Sequence, residues 1–166
     1  MPATALVVRD MVEGDIDEVV RIITLHDSDD GRYARGSFET GPPLGSDPHF
    51  QHVVCLAEDG RVIGVSGWGP DLGEGAGIYW LGWTYVNPWS RGQGVGARLL
   101  VTVIERVRAL GGRKLFLETS SMDKYAEAVR FYERIGFVEE GRLHDFYGPG
   151  EAKILMGLPL SLPAAL

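Results

Sequence analysis

Apolar and polar positions along the chain switch repeatedly between a period of two and a period near 3.6 residues. Ala5 to Arg9 predicts a first strand. Asp15, after Glu13-Gly14, is a good N-cap, and Ile16, Val19, Val20 and Ile23 repeat at helical spacing to about Leu25. Residues 32 to 49, rich in Gly, Pro and Ser, predict a long loop with room for one short helix. Val53 to Glu58 and Arg61 to Trp68 alternate on either side of Asp59-Gly60, a strong hairpin signal. Ile78 to Val86 predicts a fourth strand, which ends before Pro88. Leu99, Leu100, Val103, Ile104 and Val107 share one face of a helix from about Gly94 to Ala109, closed by Gly111-Gly112. Lys114 to Thr119 follows as a fifth strand, then a helix over 123 to 135 closed by Gly136. Phe137 to Arg142 and Ala152 to Leu158 complete the pattern around Gly148-Pro149-Gly150.

Hairpin-linked strands are antiparallel, whereas the fourth and fifth, joined through a helix, should be parallel. The expected class is α/β (α+β): a mixed, mostly antiparallel central sheet of about seven strands with helices on both faces. The length of 166 residues predicts one domain, 1–166.

Composition narrows the chemistry. The net charge of −7 argues against a nucleic-acid partner and suits a cationic substrate. The single cysteine, Cys55, lies in an apolar strand and reads as core. His49, His52 and Asp47 are close in sequence but bring too few ligands for a metal. Asp27, Asp29 and Asp30 lack the spacing of a calcium loop and read as a solvated turn, or as an acidic lip with Glu39. The start of the chain does not resemble a signal peptide, and no apolar run approaches the roughly 20 residues of a membrane span. A cytoplasmic protein is expected. The apolar tail from Pro159 and the tryptophans Trp68, Trp80, Trp83 and Trp89, read as exposed, are compatible with a homodimer.

The organising stretch is Y-V-N-P-W-S-R-G-Q-G-V-G-A-R-L-L, Tyr85 to Leu100. A strand, a basic glycine turn and a helix start follow without a gap. The first turn of a helix leaves its N–H groups unpaired and slightly positive, and glycines let a diphosphate approach the backbone. No Gly-Lys pair is present for a triphosphate loop, and the glycine spacing fails the dinucleotide fingerprint. What remains, Arg91-x-x-Gly94-x-Gly96, resembles the acyl-CoA loop of the GNAT superfamily, the acetyl-CoA-dependent N-acetyltransferases. A second stretch, A-E-A-V-R-F-Y-E-R-I-G-F (Ala126 to Phe137), resembles that family's other signature, with Ala128, Phe131, Tyr132, Gly136 and Phe137 in register. The opening and the ending of the chain are also similar to members, so the resemblance covers nearly the whole chain. One departure stands out. The family's usual asparagine, which helps hold the pantetheine arm, falls at Tyr125, and the spacing from Glu118 to Tyr132 is longer than usual.

The resemblance implies a GNAT-type fold and transfer of acetyl from acetyl-CoA, as cosubstrate and without a metal, to a primary amine by direct attack in a ternary complex. Such transfer needs removal of a proton from an amine with a pKa of about 10.4, a donor for the oxyanion and an acid for the leaving thiolate. Tyr132 takes the acid role by resemblance. The oxyanion donor is expected near Tyr85 or Val86, with Thr84 on the same strand end. Arg91, Gly92, Gln93, Gly94, Val95, Gly96 and Ala97 are expected at the diphosphate, and Tyr125 at the arm. Glu118 matches a position that serves as base in some relatives; Asp145, Tyr147, Glu39 and a water chain remain alternatives, and His144 a weaker one. The acceptor is a small-molecule amine or a peptide or protein amine. Another acyl group, or a non-catalytic acyl-CoA-binding sensor of the same fold, remains a rival.

Overall fold

The computed structural model describes residues 5–73 and 75–160. Its strands are β1 (Val7–Asp10), β2 (Gln51–Leu56), β3 (Val62–Pro70), β4 (Ile78–Leu81), β5 (Tyr85–Val86), β6 (Lys114–Ser120), β7 (Val138–Gly148) and β8 (Glu151–Pro159). Its helices are α1 (Ile16–His26), α2 (Ser28–Thr40), α3 (Val95–Ala109) and α4 (Ala126–Ile135). The sheet runs β1-β2-β3-β4-β6-β8-β7, with β5 attached to β3. Among the described residues only the β4–β6 pair is parallel, as its crossover through α3 requires.

The expected fourth strand is broken. Trp68 pairs with Leu81, but Val65 pairs with Tyr85, so three steps along β3 meet four on the facing segment. The extra residue is a bulge over Gly82, Trp83 and Thr84. The Gly82 N–H donates to the Gly67 carbonyl at 2.9 Å, and a Cβ there would sit 3.4 Å from Gly67 backbone. β6 stays with β4 only through Trp80 and Phe116. Beyond that point β5 remains with β3 while Leu117 to Ser120 pair with β8, so the sheet opens between β5 and β6. The apolar run continued through the break and hid it.

The first half of the predicted loop, residues 32 to 40, belongs to a helix of 13 residues, α2, which starts at Ser28, and residues 41 to 49 form the loop that remains. The Asp27 side chain caps it by accepting from the N–H groups of Asp29 and Asp30. Asp29 and Asp30 then lie in its first turn, where the positive end of the helix dipole favours carboxylates. The acidic run therefore starts a helix rather than forming a solvated turn.

One face of the sheet carries α3 and α4 over Leu99, Leu100, Val103 and Phe137. The other carries α1 and α2, with Val19, Ile22, Ile23 and Ala34 packed on Val54 and Val65. Trp68 is buried, not exposed, and its indole donates to the Pro48 carbonyl; Trp89 is exposed. The tail beyond Leu160 lies outside the described residues. Among the described residues no helix is long and apolar enough to cross a membrane.

Asp15 does not cap α1 with its side chain. Its buried carboxylate accepts from the Val12 N–H (2.9 Å) and pairs with Arg9 (2.7 Å). The Arg9 guanidinium holds its pKa below the usual carboxylate range. A depressed folded-state pKa stabilises above the unfolded value and loses that contribution as pH falls through the folded one. Asp15→Asn is therefore expected to cost about 1–2 kcal/mol at pH 7. Urea unfolding should show that gap narrowing as the wild type is taken to about pH 3, below the unfolded carboxylate value.

Candidate active site

The loop after β5 is built for its shape. The Asn87 side chain accepts from the Trp89 N–H, and Pro88 sits at the first position of a short 3₁₀ turn. Gly92 and Gly94 have φ of +73° and +79°, a region that costs L side chains strain. A Cβ at either would meet nothing within 4 Å, so both glycines border open space. Gly94 is the N-cap of α3 and offers no side chain to its amides. The first bond of α3 is Arg98 N–H to the Gly94 carbonyl, which leaves the N–H groups of Val95, Gly96 and Ala97 without helical partners.

These amides border a cavity of about 670 Å³. Thr84, Tyr85 and Val86 line it from the sheet, Arg91 and Gly92 from the loop, and Tyr125 and Tyr132 from α4 and the turn before it. Gln93 lies apart, in a shallow depression behind the loop with Arg98. The sequence reading missed His26 and Leu25 at the end of α1, which only tertiary packing brings here. It also missed Glu127, Ala128 and Phe131, which helical spacing from Tyr132 could have supplied. Phe131 packs so closely on Gly96 that a Cβ there would approach its ring to 3.2 Å.

Burial pushes the Tyr132 hydroxyl up to about 12, and the neighbouring Thr84 hydroxyl acts in the opposite direction. The phenol is a proton donor throughout the physiological range. Val86 supplies a second donor. Asn87 N–H bonds Ile63 at 2.8 Å, so Val86, paired with Gly64, occupies a position whose own N–H and C=O face away from β3. Both groups turn into the opening of the sheet. His26 Nε2 takes up the Val86 carbonyl at 2.7 Å, while its Nδ1 meets Arg91 at 3.3 Å. A neutral ring protonated on Nε2 satisfies both contacts.

The other side of the opening is polar. The Tyr85 hydroxyl donates to Asp30 at 2.5 Å, and burial with that carboxylate raises its pKa strongly. Tyr125 donates to Asp27 at 3.1 Å. Glu118 is half exposed, does not line the cavity, and pairs with Lys153 at 2.9 Å. Leu115 and Leu117 face α3, so alternation puts Glu118 on the opposite face, that of Phe116. The acids of the expected lip have internal partners: Asp29 pairs with Arg32 and Glu39 with Arg35. Asp145 accepts from the Gly150 N–H at the β7–β8 turn.

Cys55 is buried, and burial pushes its thiol up. His49 bonds Tyr79, and burial takes His52 down to about 4. Among the described residues no cluster of His, Cys, Asp and Glu could hold a metal ion.

Comparison with known proteins agrees with this architecture. A model of the acetyltransferase (GNAT) family matches residues 17–137. Escherichia coli YjgM, an uncharacterized N-acetyltransferase, is 33% identical over 87 residues, 52% of this chain. That match spans about half the length of the relative, 51%. A GNAT-family crystal structure from Desulfovibrio desulfuricans is 32% identical with a TM-score of 0.81, covering 95% of this chain and 100% of that one. An aminoglycoside 6′-N-acetyltransferase complexed with coenzyme A shares the fold at a TM-score of 0.78 and 17% identity, covering 96% and 99%.

Proposed function

This chain belongs to the GNAT acetyltransferase family, and from that premise we propose that it transfers acetyl from acetyl-CoA to a primary amine by direct attack in a ternary complex. One observation carries the reading. One cavity is lined by Arg91 and the unpaired amides at the start of α3 together with Tyr132 and Val86, whose N–H faces away from β3. A diphosphate fits the glycine turn and these amides, where open glycines let it reach the backbone. An extended amide arm fits the opening between β5 and β6. Isothermal titration with acetyl-CoA tests this directly, and absence of heat at millimolar ligand removes the reading.

Bound acetyl-CoA supplies the activated acyl group; the chain's residues do the rest. Arg91 and the amides of Gly92 and of Gly94 to Ala97 anchor the charged end. The Val86 N–H donates to the charge that develops on the acyl oxygen. Tyr132 gives its proton to the departing sulfur. Glu118 stands on the sheet face opposite α3, on the side from which an amine reaches the opening, and takes up the amine proton through water. The acceptor is a small-molecule or peptide amine, and Asp30 and Glu118 on that side favour its cationic form.

Because Glu118 is half exposed, water substitutes for it in part. Glu118→Gln should lower kcat about tenfold near neutral pH, less than a buried base would. The deficit should shrink as pH rises towards the acceptor's own pKa. A flat deficit across pH would assign Glu118 to the Lys153 ion pair alone.

A further inference from the structure

Asp27 belongs to the junction between α1 and α2, yet its carboxylate is used by residues nearly a hundred positions away. Tyr125 donates to it at 3.1 Å, and the Lys124 ammonium lies 3.4 Å from the same oxygen and 4.9 Å over the Tyr125 ring. Both partners line the cofactor cavity on the α4 side, while Leu25 and His26 line it just before Asp27 on the α1 side. The bridge therefore joins two segments that line one cavity, one from α1 and one from the turn before α4. Three residues on, Asp30 takes the Tyr85 hydroxyl from the sheet. The first turn of α2 is thus tied to β5 and to the start of α4 at once.

Resting on the acetyl-CoA reading, we propose that Asp27 is a positioning residue for the cofactor: through Tyr125 and Lys124 it latches the α4 wall to the α1–α2 wall across the channel that the pantetheine arm occupies. The latch replaces a direct contact. Tyr125 stands where the family's side-chain amide would hold the arm, and its hydroxyl is spent on Asp27. The arm is retained by the width of the channel, not by a hydrogen bond from this residue. Losing the latch should then speed release of ligands that carry the arm and leave the adenosine end unaffected.

Two single variants open the latch from opposite sides. Asp27→Ser keeps an N-cap for α2 but is too short to reach Tyr125 or Lys124. Tyr125→Phe keeps the ring and removes one of the two donors, the Lys124 ammonium staying 3.4 Å from Asp27. Release of radiolabelled acetyl-CoA, chased with unlabelled ligand, should quicken about tenfold in Asp27→Ser, the equivalent of one charge-assisted hydrogen bond, and by less in Tyr125→Phe. The double variant should be no faster than Asp27→Ser. Affinity for the adenosine bisphosphate fragment of CoA should stay at the wild-type value in all three. An unchanged release rate, additive effects in the double variant, or equal weakening of the fragment overturns the latch. Failure of the wild type to bind acetyl-CoA overturns instead the reading on which it rests, and the latch with it.

Discussion

Replacing Tyr132 by phenylalanine should lower kcat about 100-fold while leaving the Kd for acetyl-CoA within about twofold. The ring keeps its packing, since it lies edge-on to Phe137 at 5.8 Å and belongs to the α3-side core. Only the hydroxyl goes, from a residue that lines the cavity with Thr84. Its value of about 12 means that it stays protonated at every pH where the enzyme is assayed. The wild-type rate should therefore show no falling limb from this group below about pH 11. Steady-state kinetics with any turned-over amine, paired with calorimetry, measures both quantities. The same variant separates an enzyme from a ligand-sensing relative. A sensor would bind acetyl-CoA equally well with or without the hydroxyl and show no turnover to lose.

A carboxylate at Gly94 is expected to weaken cofactor binding by about two orders of magnitude without unfolding the protein. Gly94 has φ +79° and nothing within 4 Å of a built Cβ, so a side chain fits spatially. Asn and Asp are the residues that best tolerate that backbone region. Gly94→Asn therefore serves as the isosteric reference, with whatever steric cost the larger group brings. Gly94→Asp adds to it a negative charge at the mouth of the diphosphate cradle. At about 5 Å and an effective dielectric near 20, like charges repel by roughly 3 kcal/mol, about two orders of magnitude in Kd. Titration of both variants with acetyl-CoA gives the difference. High salt should narrow it, because exposed charges are screened. Equal affinity of the two variants would place the diphosphate elsewhere and remove the cradle.

Local features were legible because they are encoded within a few residues. The glycine turn, its fusion to α3 and the helix around Tyr132 all depend on φ preferences and periodicity that the chain displays openly. The short α2 was obscured for a related reason. Glycines at 31 and 36 lower its intrinsic propensity, and it is the packing of Ala34 and Phe38 with the α1-side core that sustains it. The break between β4 and β5 was invisible because apolar side chains continue across it. What breaks the strand is one residue too many against β3, a mismatch that exists only once the two strands are paired.

Residues 85 to 100, taken alone, already specify a glycine turn that ends in free helix amides, since unpaired amides at a helix start follow from backbone geometry whatever surrounds them. Which groups face that turn across the cavity was decided by tertiary structure. His26 reaches Val86 across 60 positions, and Tyr125 reaches Asp27 across 98. Contacts at such separations leave no periodic trace in a sequence, because the relative placement of α1, α2 and α4 is set by how their apolar faces share one sheet.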